Sequence, residues 1–353
     1  MRKCILATNI AETSITIPGI KYVIDTGKCK EKQYLARTSG GGFDTLLTRD
    51  ITKSSAMQRA GRAGREGSGV CFRLYTEDAF NSMAISGEPE ILRCSLTASI
   101  LNLKTLGQNL EELDLMDKPD FDTIASALKT LWLLGALDQK QKLTPAGRQM
   151  AVFPLEPQYA CAVVASAQYA CTSAVLDIVA VLSASSKLFL DVSDQRDAVA
   201  DARRKFRHAR GDHLTVLNAV RAYRAVAAAE GKHARREWCR KHFLNERTFL
   251  EAREIREQLV VTCRRVHIDA TAAPKEEEEE DAVVRSMGHG LAGNSAFLQP
   301  DGTYKQTMGQ TIIKVHPGST LYTHAVSRQY RRVFSSRLQR LTSGMPEPSA
   351  RQE

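Results

Sequence analysis

No apolar run in the 353 residues approaches the ~20 residues that a membrane-spanning helix needs. That excludes a helical membrane protein as the reading of this sequence. The eight cysteines stand at 4, 29, 71, 94, 161, 171, 239 and 263, and no two have CxxC spacing. No histidines flank them at zinc-site distances, so the common structural zinc motifs are excluded too. Reduced and mostly buried thiols, in a cytosolic or nuclear protein, are the expectation. The start, Met1-Arg2-Lys3-Cys4-Ile5-Leu6-Ala7, has too few apolar residues before Thr8-Asn9 for a secretory signal. Acid is in short supply: 40 Asp and Glu face 49 Lys and Arg, a formal charge of +9. Residues 201–265 alone hold 17 basic against 8 acidic side chains, a surplus of nine. A polyanionic partner suits that balance.

What the sequence does have is Gln58-Arg59-Ala60-Gly61-Arg62-Ala63-Gly64-Arg65, three arginines in seven residues with no acid among them. Ser54 and Ser55 lie just ahead and are expected to cap a helix. In a helix Gln58, Arg62 and Arg65 fall at i, i+4 and i+7, within roughly 60° of one another. Gly61 and Gly64 lie off that face and are expected to admit another backbone closely. Two readings of the octet stand open. It is a solvated basic helix that touches RNA phosphates, or it is part of a phosphoryl-transfer site. Arginines beside a triphosphate stabilise transition-state charge, and a glutamine orients the attacking water.

Cys4-Ile5-Leu6-Ala7 reads as a short buried strand, followed by the polar loop Thr8 to Ser14. Lys21-Tyr22-Val23-Ile24-Asp25 reads as a second strand, and a domain that opens on an uncovered strand implies earlier strands of its sheet. Residues 28–34 are expected to pair with 43–47 around Gly40-Gly41-Gly42, and Val70 to Tyr75 reads as a further strand. Thr144-Pro145 is an N-cap followed by proline at the first helical position. Residues 157–183 and 214–229 suit packed helices, and 291–323 suits short strands. Glu276 to Asp281 repels itself and is expected to form a solvated loop. Arginines 328, 331, 332, 337 and 340 form a basic stretch with no place in this scheme.

Ala7-Thr8-Asn9-Ile10-Ala11-Glu12-Thr13-Ser14-Ile15-Thr16-Ile17 resembles motif V of the DEAH-box RNA helicases, and Gln58 to Arg65 resembles their motif VI. The spacing between the two, and Cys71-Phe72-Arg73-Leu74-Tyr75-Thr76-Glu77 after them, resemble that family as well. Pro89 to Leu96 and Leu133 to Leu137 look like its winged-helix domain. Leu143 to Arg148, Phe153 to Pro157, Gly211 to Asn218 and Trp238-Cys239 look like its ratchet domain. Leu298 to Tyr304 and Val315 to Ser319 look like its OB-fold. The resemblance covers about residues 2–323.

The resemblance implies a multidomain chain of α/β plus α plus β type. It comprises a partial RecA-like domain (1–77), a winged helix (78–143), a helical ratchet bundle (144–262) and an OB-fold (263–342, with an acidic loop at 274–281). A disordered tail follows at 343–353. It also implies an ATP-dependent RNA helicase activity with Mg²⁺. Gln58 would position the hydrolytic water, and Arg62 and Arg65 would reach the β- and γ-phosphates as arginine fingers. Thr8, Asn9 and Thr13 would touch the RNA backbone, and Thr16 would lie near the nucleotide ribose. The hairpin at 28–47 would act as a strand-separating wedge. Arg203, Arg204 and Arg207, interleaved with Phe206, suit RNA phosphates and stacking, as do Arg235 and Arg236 beside Trp238. Partners implied are RNA and an activating protein on the winged-helix and OB surfaces. A monomer, a nuclear or nucleolar site and a ribosome-biogenesis role are expected. Neither GxxxxGK[ST] nor Asp-Glu-Ala-His occurs in the sequence. The expectation is therefore a truncated helicase that turns over no ATP alone; the alternative is a non-catalytic RNA-binding or regulatory module.

Overall fold

The computed structural model describes residues 3–13, 15, 17–36, 42–301, 303–307, 312–315, 318–322, 332–334 and 338–340. The hairpin tip at 37–41, Ser14, Thr16 and the tail at 343–353 lie outside the described residues. Two compact units divide the chain, one of residues 1–96 with 113–126 and the other of 97–112 with 127–353.

The first unit runs α1 (Ile10–Thr13), β1 (Tyr22–Asp25), β2 (Lys28–Ala36), β3 (Gly42–Asp50), α2 (Lys53–Gly61), β4 (Val70–Arg73), α3 (Glu77–Ser82) and α4 (Glu90–Arg93). β1 and β4 pair in parallel, Tyr22 against Val70 through Asp25 against Arg73. Side chains alternate across these strands. Val23, Asp25, Cys71 and Arg73 turn inward, and α2 packs on the pair with Ala56 fully buried. The other face carries Tyr22, Ile24, Val70, Phe72 and, just past β4, Leu74, all exposed, with the Tyr22 and Phe72 rings stacked at 6.4 Å. β2 and β3 form the expected antiparallel hairpin, Lys28 opposite Asp50 and Tyr34 opposite Asp44. The expected strand at residues 4–7 does not form: the segment is exposed coil, with Leu6 95% accessible. No described strand lies beside it to complete a hydrogen-bond ladder, and backbone groups left without one turn to water.

The second unit is mostly helical: α5 (Thr97–Thr105), the end of α6 (Phe121–Leu133), α7 (Pro145–Val152), α8 (Pro157–Ser166), α9 (Thr172–Leu182), α10 (Arg196–Arg204), α11 (Asp212–Ala229), α12 (Lys232–Lys241), α13 (Glu246–Arg265) and α14 (Glu276–Gly290). Thr144 caps α7 as expected, its hydroxyl accepting from Gly147 N at 2.9 Å. α9 is apolar nearly all round and sits at the centre, as such helices must; Val175, Leu176, Ile178 and Val179 are fully buried against α8, α11, α13 and α14. Its one acid, Asp177, is 5% exposed and paired with Arg224 and Arg256, so the buried charge is compensated.

The acidic run is not a loop. Glu276 to Asp281 form the first turns of α14, where acids are favoured by the helix dipole. Glu279 meets Arg221 at 2.6 Å, Glu280 meets His208 at 2.9 Å, and Asp281 meets Arg210. Further along, Ala282, Val283, Ser286 and Met287 are buried on α8. A side chain on Gly290 would stand 1.9 Å from the Gln158 carbonyl oxygen, so glycine sets how closely α14 approaches. A five-stranded antiparallel sheet follows, with β5 (Ser295–Leu298), β6 (Tyr304–Gln306), β7 (Ile312–Val315), β8 (Arg332–Phe334) and β9 (Leu338–Arg340) in the order β8-β5-β6-β7-β9. Two triplets of the arginine-rich C-terminal stretch thus form its edges.

Candidate nucleotide and RNA site

α2 brings the octet to the end of the parallel strand pair. Its cap is Thr52, whose hydroxyl accepts from Ser55 N at 3.2 Å; Ser54 and Ser55 lie inside the first turn. Thr52 is the last extended residue before the helix, which is where a capping side chain can reach back to the orphan N–H groups. The carbonyls of Ala84 and Ile85 take the N–H groups of Lys53 and Ser54. The helix ends at Gly61, and Arg62 N–H turns back to Arg59 O at 3.1 Å. The i, i+4 spacing therefore relates Gln58 to Arg62, but Arg65 lies beyond the last turn. No atom comes within 4 Å of where a side chain on Gly61 or Gly64 would stand, so neither admits a close backbone. Gly69 does that instead: a side chain there would meet Ala63 O at 2.1 Å and Lys21 O at 2.8 Å. The turn after α2 is pressed onto the strand that follows it.

The arginines of the octet divide in role. Arg59 donates Nε to Glu12 Oε1 at 2.8 Å, Nη1 to Asp25 Oδ1 at 2.7 Å and to Lys28 O at 3.2 Å. Asp25 also accepts from Tyr75 OH at 2.9 Å and Gly27 N at 3.0 Å, and it is 1% exposed. Burial pulls the Arg59 pKa down, but the hydrogen bonds and charges of Asp25 and Glu12 outweigh it and the net shift is upward. Burial, with the neighbouring Asp25, pushes the Tyr75 hydroxyl up to about 12. This network ties the α1 loop, β1 and α2 together. Gly19 N adds a bond to Glu66 Oε2 at 2.8 Å.

Gln58 and Arg65 are exposed and Arg62 is half-buried. Among the described residues none of the three has a side-chain hydrogen bond or ion pair. Thr8, Asn9 and Thr13 are exposed on the neighbouring loop and α1, whose backbone turn is held by Ala11 N to Thr8 O and Glu12 N to Asn9 O. Thr16 lies outside the described residues. The two guanidiniums and the amide are thus uncommitted among the described residues, and a guanidinium's permanent charge and planar fork can meet two oxygens at once. No group of three or more metal-ligating side chains occurs among the described residues, so Mg²⁺ has no ready carboxylate set there.

In the second unit, Arg203 reaches Asp191 at 2.7 Å and the Leu190 carbonyl at 3.1 Å, Arg204 pairs with Asp201, and Arg207 donates to Thr320 O at 2.6 Å. The interleaved aromatics turn inward. Phe206 is 5% exposed and meets Trp238 edge-on at 5.8 Å. Phe206 therefore offers no face for a base to stack on; it lies in the turn after α10 and packs into the core.

Comparison with known proteins follows the same segments. The helicase conserved C-terminal domain family matches residues 1–67, the winged-helix part of the helicase-associated domain matches 127–155, and its ratchet-like part matches 156–216. The ATP-dependent RNA helicase DHX33 of Mus musculus is 42% identical over 325 residues, 91% of this chain and 45% of that protein. DHX33 of Drosophila melanogaster is 38% identical over 324 residues, 91% of this chain and 45% of that protein. The probable ATP-dependent RNA helicase DHX35 of Pongo abelii is 37% identical over 330 residues, 93% of this chain and 44% of that protein. The chain belongs with the C-terminal portion of the DEAH-box RNA helicases. It spans less than half the length of the curated relatives it matches.

Within this DEAH-box portion, reading the sequence as helix faces passed over Arg59, Glu12 and Asp25. The available signal was an arginine on the inner side of the helix and an acid ending a strand, a pair of opposite charges each placed where burial demands a partner.

Proposed function

We propose that the chain supplies the water-positioning and arginine-finger side of the ATPase site of an ATP-dependent RNA helicase, coupling hydrolysis to movement along RNA or to remodelling of RNA–protein particles. The observation that carries this reading is the division of labour in the octet. Arg59 is fully engaged within the fold, while Gln58, Arg62 and Arg65 have no partner among the described residues. Gln58 would orient water, and the two guanidiniums would meet phosphate oxygens with their permanent charge. Mg²⁺ bound with ATP would neutralise phosphate charge. Thr8, Asn9 and Thr13 would present donors to the RNA backbone, with Thr16 near the nucleotide. In this reading β5 to β9 form an OB-fold, β1 and β4 belong to a RecA-like sheet, and the hairpin of β2 and β3 is the strand-separating wedge. An activating protein would dock on the winged-helix and OB surfaces of a monomer, and the process served would be ribosome biogenesis at a nuclear or nucleolar site.

The test is made in a protein that joins this chain to a phosphate-cradling lobe. Arg62→Ala lowers RNA-stimulated ATP turnover by three to five decades, on the order found for arginine fingers, and leaves RNA affinity within about twofold. Normal turnover in that variant sinks the assignment. A second reading, an RNA-binding or regulatory module without catalysis, is favoured by the absence of GxxxxGK[ST] and Asp-Glu-Ala-His from the sequence. The chain by itself is expected to bind RNA and to show no RNA-stimulated turnover; turnover would refute the second reading.

A further inference from the structure

Where α7 gives way to α8, the second unit is grooved. The groove has a volume of about 630 Å³ and is lined by α5, the turn at 152–157, the start of α8 and the end of α9. Much of the lining is apolar: Leu101, Met150 and Phe153 are buried there, and Leu155 and Leu182 are half-buried. Pro154 and Pro157 remove two N–H donors from the turn, which leaves that wall poor in polar groups. Val152 and Pro154 are exposed, so the groove is open to solvent along one side.

Glu156 is the one charged residue of the lining, and no cation lines the groove. Glu156 stands ahead of α8 without its side chain capping the helix. Among the described residues its carboxylate has no hydrogen bond or ion pair. Tyr159, three positions on and in the same lining, is half-buried, and its hydroxyl has no partner either. Burial pushes the pKa of that hydroxyl up, and the negative charge of Glu156 pushes it the same way; no cation opposes them. The groove is therefore negative where Glu156 and Tyr159 meet. Asn102 and Ser183 line it as well, and their side chains are uncommitted among the described residues.

We infer that this groove binds an extended peptide segment that places an arginine on Glu156. An uncompensated carboxylate beside apolar walls suits a cation on an apolar stem, and the methylenes of arginine lie along such walls while its head meets the charge. The planar guanidinium can donate to the Glu156 carboxylate and the Tyr159 hydroxyl together, which a lysine's point charge does less well. Asn102 and Ser183 supply donors and acceptors for the main chain on either side of the arginine. Ligand sites span roughly 300–1,000 Å³, and this volume has room for about three residues, more than one guanidinium side chain fills. Anions, RNA phosphates included, are repelled by Glu156. The inference is independent of the ATPase reading, because every group in it belongs to the second unit.

Isothermal titration calorimetry on the full chain tests it with three probes: acetyl-Leu-Arg-Leu-amide, the same peptide with the uncharged isostere citrulline for arginine, and butylguanidinium. The arginine peptide binds saturably. The citrulline peptide, which lacks the charge, and butylguanidinium, which lacks the main chain, each bind at least tenfold more weakly. Glu156→Gln lowers affinity for the arginine peptide about tenfold. Its melting temperature stays at that of the parent, because the side chain is exposed and caps nothing. Tyr159→Phe keeps the ring, removes the hydroxyl and gives a second, smaller loss of about threefold. The inference is overturned if the arginine peptide shows no saturable binding, or if the citrulline peptide matches it, which would leave apolar contact alone. It is equally overturned if butylguanidinium matches it, which would assign the groove to a free small cation, or if either variant binds as the parent does.

Discussion

Arg59 and Arg62 stand three positions apart and have opposite surroundings. Arg59 holds Glu12 and the buried Asp25, and removing it leaves a carboxylate 1% exposed without its cation. Arg59→Ala is expected to destabilise the first unit by about 3 kcal/mol, the range for breaking a buried ion pair, as read by urea unfolding. Arg62→Ala in the same assay shifts stability by no more than about 0.5 kcal/mol. Equal losses in the two variants would mean that Arg62 is as much a part of the fold as Arg59. Tyr75 gives a second test. Its folded pKa of about 12 lies above the ordinary tyrosine value of 10.0, chiefly because it is buried and next to Asp25. A raised pKa stabilises the fold fully below pH 10, and that contribution is lost as pH rises through about 12. Tyr75→Phe should flatten the tyrosine part of the alkaline stability decline; an unchanged decline would mean that Tyr75 ionises as freely folded as unfolded.

At the scale of elements, α14 meets α8 at Gly290 with no room for a side chain. Gly290→Ala forces a methyl group against the Gln158 carbonyl oxygen, and about 2 kcal/mol of destabilisation is expected despite alanine's better helix propensity. A gain in melting temperature would show that α14 moves away from α8 without cost. The same helix marks where the sequence was misleading. Self-repulsion among Glu276 to Asp281 argued for a loop, but the acids sit at a helix N-terminus beside Arg210 and Arg221. These cations lie 66 and 55 residues or more away in sequence, and only folding brings them together. Ala282, Val283 and Met287 carried the opposite, apolar signal. The hairpin of β2 and β3 was legible because its turn is glycine-marked and its pairing is local. α7, α8, α9 and α11 were legible from their apolar spacing and, for α7, its cap. The residues at 4–7 had strand composition, but a strand also needs a neighbour, which composition does not supply. In the octet, spacing related Gln58 to Arg62, whereas the role of Arg59 could be recognised only once Asp25 and Glu12 were beside it.

Across the whole chain, the basic stretch at 201–265 is less free to meet solvent than its own count suggests. The surplus in residues 201–265 is met in part by acids from outside that stretch: Asp177, Asp191, Glu279, Glu280 and Asp281. Replacing Glu279 and Glu280 by glutamine and Asp281 by asparagine should raise the chain's affinity for single-stranded RNA. The slope of log affinity against log salt should steepen by about 0.7 for each cation released. An unchanged slope would mean that Arg210 and Arg221 stay out of reach of phosphate. The parallel pair of β1 and β4 bears on a different property. Parallel strands are ordinarily covered on both faces, yet here Tyr22, Ile24, Val70, Phe72 and Leu74 form a bare apolar surface. Such a surface governs colloidal behaviour. At rising concentration the purified chain should show attractive interparticle scattering that Phe72→Lys abolishes, so the limit on how far the chain can be concentrated lies in one side of two four-residue strands.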